Sequence, residues 1–69
     1  MKYLVTVLYN TNMSKMFFSD YLEASTAATE LIESLSGDNQ RIRISVNEAE
    51  TGKVFWSYQI NPKSNGLLN

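Results

Sequence analysis

Residues 40–60 constrain the fold most, because apolar and polar side chains alternate along the first arm of this stretch. Ile42, Ile44 and Val46 occupy every second position, and polar residues lie between them. Strict alternation is typical of a β-strand with one buried and one solvated face, whereas a helix would scatter these aliphatic residues around its circumference. The pattern therefore predicts a strand.

The return arm, residues 53–60, is rich in β-branched and aromatic side chains, which suit a half-buried sheet surface. Its heavier row of alternate positions comprises Val54, Trp56, Tyr58 and Ile60. We expect this row to face the core, which leaves Phe55 on the opposite face. Gly52 suits a positive φ in the hairpin loop, and Pro62 marks the end of the last strand because proline cannot donate to a ladder.

Two further elements precede this hairpin. Residues 2–10 form a predicted strand with two largely apolar faces, which is typical of a central strand. Residues 11–14 are polar and predict a turn. A helix is indicated by an apolar stripe at the spacing i, i+3, i+4, i+7, formed by Ala28, Leu31, Ile32 and Leu35. Gly37 suits the position just after the helix.

Residues 15–22 allow two interpretations. As a strand, they complete an N-terminal hairpin behind the polar turn, and Ser25 becomes the N-cap of the helix. As the start of the helix, they supply Asp20 as the N-cap, and Glu23 completes a capping box. We favour the strand, because a cluster of large apolar residues closely follows the turn.

Together these elements predict an α+β fold in two layers. One helix packs on an antiparallel sheet in the order ββαββ, or βαββ if the second strand is absent. Residues 1–62 are expected to form a single domain, and residues 63–69, rich in Ser, Asn and Gly, a flexible C-terminal tail. Because one helix covers only one face of such a sheet, we expect the other face to lie open.

The composition argues against several classes of function. The 69 residues include neither cysteine nor histidine, so disulfides, thiolate metal sites and the commonest general base are excluded. The chain has no glycine-rich phosphate loop, zinc-ligand spacing or calcium-binding loop. We therefore predict a protein that is not an enzyme, without catalytic, cofactor or metal sites. No apolar run suits a membrane span or a signal peptide, which predicts a cytoplasmic protein, in the host cytoplasm if viral.

Charge is unevenly distributed, although the net charge is only −1. All charged side chains in residues 20–38 are acidic, whereas the basic residues lie outside this segment. If the aliphatic row of the first arm faces the helix, Arg41 and Arg43 must face away. We expect Phe55 and part of the first strand to lie with them. The candidate partner-binding residues are therefore Arg41, Arg43, Phe55 and Lys53.

Such a face can bind another protein, an identical subunit or a single-stranded nucleic acid. We favour another protein, because arginines form bidentate pairs with carboxylates and the net charge is not that of a strongly basic nucleic-acid binder. A homodimer with the open face buried is a further alternative. In the plainest interpretation, Arg41 and Arg43 are solvated charges that protect the sheet, and Trp56 is a core residue.

Residues 21–31, with the sequence YLEASTAATEL, resemble the strand-to-helix junction of many small phage and bacterial accessory domains. The predicted plan of strands, one Ala-rich helix and closing strands is similar to that of the small RNA-polymerase inhibitors of T7-like phages. The resemblance implies a phage-encoded protein that inhibits or modulates a host enzyme. It carries over no individual functional residue.

Overall fold

The computed structural model describes residues 2–62, which form four strands and one helix. The elements are β1 (Tyr3–Tyr9), β2 (Asn12–Phe18), α1 (Tyr21–Leu35), β3 (Ile42–Glu48) and β4 (Val54–Ile60). All neighbouring strands are antiparallel, and their order across the sheet is β2-β1-β3-β4. The α+β fold in the order ββαββ is therefore confirmed. The predicted tail, residues 63–69, lies outside the described residues.

The core lies between α1 and one face of the sheet. It consists of buried residues from β1, α1 and β3, namely Val5, Val7, Ala24, Ala28, Ile42, Ile44 and Val46. Both alanines of the helix are fully buried, so the helix backbone can approach the sheet closely. The helix packs against β1, β2 and β3. The prediction that the aliphatic row of β3 faces the helix is confirmed.

The N-terminal hairpin is tighter than predicted. Tyr9 pairs with Asn12, so only Asn10 and Thr11 form the turn. Asn10 has φ 57°, a left-handed conformation that asparagine tolerates better than most residues. The prediction of a turn over residues 11–14 is therefore wrong, because a left-handed Asn10 reverses the chain earlier and β2 begins at Asn12.

Both interpretations of residues 15–22 are partly correct. β2 continues to Phe18, and α1 begins at Tyr21 after a two-residue junction. Asp20 is the N-cap, since its carboxylate accepts a hydrogen bond of 3.3 Å from the backbone N–H of Glu23. The predictions that the strand extends to residue 22 and that Ser25 caps the helix are wrong. The earlier start of β2 leaves room for both the strand and the longer helix.

A β-bulge interrupts the second hairpin. Val46 pairs with Trp56 and Asn47 with Val54, so Phe55 is an extra residue without a partner on β3. Because of this extra residue, the β4 residues that precede it lie on the opposite face from the one that uninterrupted alternation predicts. Trp56, Tyr58 and Ile60 lie on the helix side as predicted, whereas Val54 lies on the opposite side, against the prediction. The expected positive φ of Gly52 is confirmed at 80°.

The far end of the helix is joined to the sheet by a side-chain hydrogen bond. After the C-cap Ser36 and Gly37, the chain reaches Asp38, whose carboxylate accepts a hydrogen bond of 2.8 Å from the phenol of Tyr9. The bond to this carboxylate raises the pKa of Tyr9 above its usual value, because the phenol donates only while it is protonated.

Candidate functional site

The sheet face opposite α1 is the candidate functional site, because no second layer covers it within residues 2–62. We call it the open face. The strand register places on it Leu4, Thr6 and Leu8 of β1, Met13, Lys15 and Phe17 of β2, Arg43, Ser45 and Asn47 of β3, and Val54, Ser57 and Gln59 of β4. Along each strand, these residues alternate with residues that face the helix. Val54 is the exception, because the bulge at Phe55 separates it from the rest of β4.

Four apolar side chains lie on one side of the open face. Phe17 and Met13 on the edge strand β2 are 60% and 58% exposed. Their partners across the strand pair are Leu4 and Leu8, which are half-buried although no helix covers them. Side chains directly opposite on neighbouring strands lie in contact range. The four residues therefore form two hydrophobic pairs, Leu4 with Phe17 and Leu8 with Met13, and Thr6 and Lys15 lie between the pairs.

Two cations lie beside these apolar pairs. Lys15 lies between Met13 and Phe17 along β2, and Arg43 lies on β3 beside Leu8. The two cations are on strands separated by β1, a lateral spacing of about 10 Å. Arg43 donates a hydrogen bond of 3.2 Å to the side-chain oxygen of Gln59 on β4.

Acidic side chains are absent from the open-face positions of the four strands, as the register assigns them. The helix, in contrast, carries Glu23, Glu30 and Glu33 on the other side of the sheet. The strands of the open face therefore present positive charge that no carboxylate at their own open-face positions offsets, and such a surface attracts an acidic partner.

Arg41 lies at the margin of the open face, just before β3. Its carbonyl accepts a hydrogen bond of 2.8 Å from the backbone N–H of Asn10, which places it beside the turn between β1 and β2. It lines a shallow depression of about 490 Å³ together with Asn10, Thr11, Gln40 and Pro62. A side-chain hydrogen bond of 2.7 Å from Asn10 to Gln40 forms one wall. Arg41 and Arg43 thus lie near one another, as predicted, at one end of the sheet.

Phe55 lies on the helix side, so the prediction that it shares the open face with the arginines is wrong. Its ring centroid is 5.9 Å from that of Tyr3, which packs against the core, and 5.4 Å from that of Tyr21 in the first turn of α1. The bulge causes the change, because the extra residue turns the Phe55 side chain to the same face as Trp56.

Lys53 lies with Phe55 and not with the arginines. Its carbonyl accepts a hydrogen bond of 2.7 Å from the backbone N–H of Glu48, and its Nζ is 5.7 Å from the centroid of the Phe55 ring. This position is at the hairpin-loop end of β3, whereas Arg41 precedes the opposite end of that strand. The four predicted residues therefore form two separate groups.

The sequence prediction missed Met13, Lys15 and Phe17 as open-face residues. Their alternation with Ser14, Met16 and Phe18 was a usable signal, but the turn predicted at residues 11–14 removed Met13 from the strand. Alternation alone does not show which set of alternate β2 residues faces the helix. That depends on the register with β1, in which Phe18 pairs with Tyr3 on the helix side.

Other parts of the described structure offer less chemistry. A groove of about 390 Å³ between β2 and α1 is lined by Phe18, Leu22, Glu23, Thr26, Ala27 and Glu30. Within residues 2–62, no group of three or more His, Cys, Asp or Glu side chains is placed to hold a metal ion. In the same range, α1 is too short and too polar to cross a lipid bilayer.

Comparisons of the chain with protein-family models, with curated proteins and with solved structures found no match. The functional inference therefore depends on the residues of the open face and their geometry.

Proposed function

We propose that the protein is a non-enzymatic binding module whose open face docks onto an acidic protein surface that contains an apolar patch. The observation that supports this most is the exposure of Phe17 and Met13 beside Lys15 and Arg43, on a face whose strand positions carry no acidic side chain. Burial of the two apolar pairs would favour association, and the cations would select and orient a partner of opposite charge.

Each group on this face has a separate role in the proposed complex. Phe17 is the anchor, because large aromatic side chains that enter a pocket carry much of the energy of an interface. Arg43 can bind a carboxylate with two parallel hydrogen bonds, and Lys15 acts as a point charge. Arg41 at the margin extends the positive surface toward the turn between β1 and β2.

In its concrete form, the proposal is a phage-encoded inhibitor or modulator that covers part of a host enzyme in the host cytoplasm. A sheet face is well suited to this mechanism, because it can exclude a substrate or a competing partner without any chemical step. The resemblance of residues 21–31 to small phage accessory domains supports a phage origin. The positive charge of the open face supports an acidic target.

A single-stranded nucleic acid is the weaker alternative. Binders of this class stack successive bases on several aromatic side chains and track the backbone with positive charge. With Phe55 on the helix side, Phe17 is the single aromatic residue at the open-face strand positions. A labelled oligonucleotide tests this alternative, because its affinity would fall steeply as salt concentration rises.

Matched charge reversals test the protein-binding proposal. Arg43→Glu changes the open face, whereas Lys53→Glu makes the same change in charge on the helix side of the sheet. The tagged wild-type chain and both variants are used to capture proteins from the native cell, and the affinity for the captured partner is then measured with purified components. We expect Arg43→Glu to weaken binding at least about tenfold and Lys53→Glu to have little effect.

Phe17→Ser provides a second test that does not involve charge, and it should weaken binding to a similar extent. Circular dichroism checks that each variant keeps the fold of the wild type. If both open-face variants bind the partner as tightly as the wild type does, the open face is not the binding surface. Equal losses in Arg43→Glu and Lys53→Glu would also contradict the proposal, because they would indicate an effect of total charge.

A further inference from the structure

The edge strand β4 carries none of the charges that usually protect a sheet edge. An exposed edge presents unpaired backbone N–H and C=O groups, and most proteins protect it with lysine, proline or a bulge. The other edge strand, β2, has Lys15 at its centre. β4 reads VFWSYQI, with the bulge at its beginning and Pro62 beyond its end, so residues 56–60 are regular and uncharged.

Backbone hydrogen bonds show which groups of β4 point outward. Asn10 donates to Arg41 and Ala49 donates to Lys2, so the bonds between β1 and β3 involve the odd-numbered residues of β3. In an antiparallel sheet, successive residues bond to opposite neighbours. The even-numbered residues of β3 therefore bond to their β4 partners, which are Trp56, Tyr58 and Ile60. It follows that Ser57 and Gln59 direct their N–H and C=O groups away from the sheet.

We propose that β4 pairs antiparallel with β4 of a second copy of this chain, about a two-fold axis at Tyr58. Ser57 of each copy then opposes Gln59 of the other, and each such pair exchanges both backbone hydrogen bonds. Tyr58 opposes Tyr58 of the second copy, and Trp56 opposes Ile60. No like charges oppose one another at any of these positions.

The symmetry of the segment about Tyr58 is the reason for choosing a second copy over an unrelated strand. Polar residues flank Tyr58 on both sides, and large apolar residues follow them on both sides. Two-fold pairing therefore matches polar with polar and apolar with apolar in every pair. A similar pairing of β2 centred on Lys15 would place two lysines directly opposite, which is destabilising.

Side-chain exposure supports the same surface. The helix packs on β1, β2 and β3, and the helix-side row of β4 is incompletely covered, with Tyr58 50% exposed and Trp56 and Ile60 half-buried. In the dimer, the two helices lie on one side of a continuous sheet, and the β4 rows of both copies meet between them. A small chain gains stability by such burial, since its own core is limited.

Opposite charges at the two-fold axis provide the test. Tyr58→Lys and Tyr58→Glu are prepared separately, and sedimentation is measured from about 1 µM to about 200 µM for each variant, for their equimolar mixture and for the wild type. We expect the wild type to form dimers, each variant alone to dissociate at least about ten times more readily, and the mixture to dimerise again. The mixture also shows that both variants are folded.

Phe17→Lys is the matched control, because it introduces the same charge at an exposed aromatic position on the opposite edge strand. We expect its dimerisation to equal that of the wild type. A wild-type chain that stays monomeric over the whole concentration range would overturn the proposal. So would dimers that persist in both Tyr58 variants, or dimers that Phe17→Lys abolishes, which would place self-association on the open face.

Discussion

The ring centroid of Phe55 lies 5.4 Å from that of Tyr21, with the two ring planes at 72°, so the bulge in β4 contacts the first turn of the helix. Tyr3 completes the cluster, with its ring centroid 5.8 Å from that of Tyr21 and 5.9 Å from that of Phe55. Edge-to-face and tilted pairs at these distances are favourable. The three rings close the end of the core at which the helix begins.

Phe55→Ala should therefore reduce stability more than its partial exposure suggests. We expect a loss of about 1–2 kcal/mol in the free energy of unfolding, because both ring contacts disappear and a gap opens between sheet and helix. Urea denaturation measures the change. Val54→Thr is the control, since Val54 lies on the opposite face of the same strand, and it should cost less than about 0.5 kcal/mol. Equal losses would mean that the bulge does not direct Phe55 into this cluster.

Asp20→Ala tests where the helix begins. Removal of the capping carboxylate should cost about 1 kcal/mol, whereas Asp20→Ser, which keeps a capping oxygen, should remain close to the wild type. Ser25→Ala should cost less than about 0.5 kcal/mol, because Ser25 lies within the helix and not at its N-cap. Thermal unfolding followed at 222 nm compares the variants. A larger loss in Ser25→Ala than in Asp20→Ala would place the start of the helix five residues later.

Ala28→Leu tests the close approach of the helix to the sheet. Ala28 has no exposed surface, so the added carbons must displace the helix, at a cost of about 1–3 kcal/mol. Thr29→Leu adds a similar side chain at an exposed position of the same helix and should change stability by less than about 0.5 kcal/mol. Chemical denaturation of both variants checks the expectation. Equal stability of Ala28→Leu and the wild type would indicate unfilled space beneath the helix.

Tyr9→Phe should lower the melting temperature at neutral pH, because it removes the hydrogen bond to Asp38. The pKa of Tyr9 is raised in the folded state above its usual value of 10.0, so the stabilisation is complete below pH 10.0. It is lost as pH rises through the folded-state pKa, where the phenolate would face a carboxylate. The difference in melting temperature between wild type and variant should therefore shrink in alkaline buffer. A difference independent of pH would exclude this origin.

The fold could be predicted from the sequence because β3 and α1 have clear local patterns. The alternation of Ile42, Ile44 and Val46 defines β3 and its buried face, and the helical spacing of the apolar stripe defines α1. The boundaries near residues 10–25 were less predictable. The position of the first turn depends on the left-handed conformation of Asn10, and several residues of this polar segment could adopt that conformation. The start of the helix depends on whether Asp20 or Ser25 is the N-cap, and the two residue types cap helices about equally well.

The candidate site was predicted only in part, because it depends on register. Arg43 was assigned to the open face correctly, since strict alternation extends along the whole of β3. Phe55 and Lys53 were assigned to the wrong group, because a one-residue bulge leaves no mark in the alternation of apolar residues. Lys15 and Phe17 were missed, since their face follows from the pairing of β2 with β1 and not from β2 alone.

The bulge at Phe55 also has a consequence for changes in chain length. Loss of this one residue would let Val54 pair next to Trp56 in a regular ladder, so the strand itself could form without a gap. The ring contact with Tyr21 would then be lost, because Val54 would stay on the open face and Lys53, the preceding residue on the helix side, has no ring. A variant that lacks Phe55 would then keep its sheet but have a lower melting temperature. Amide hydrogen exchange would be fastest at the start of the helix, where the ring of Phe55 is missing.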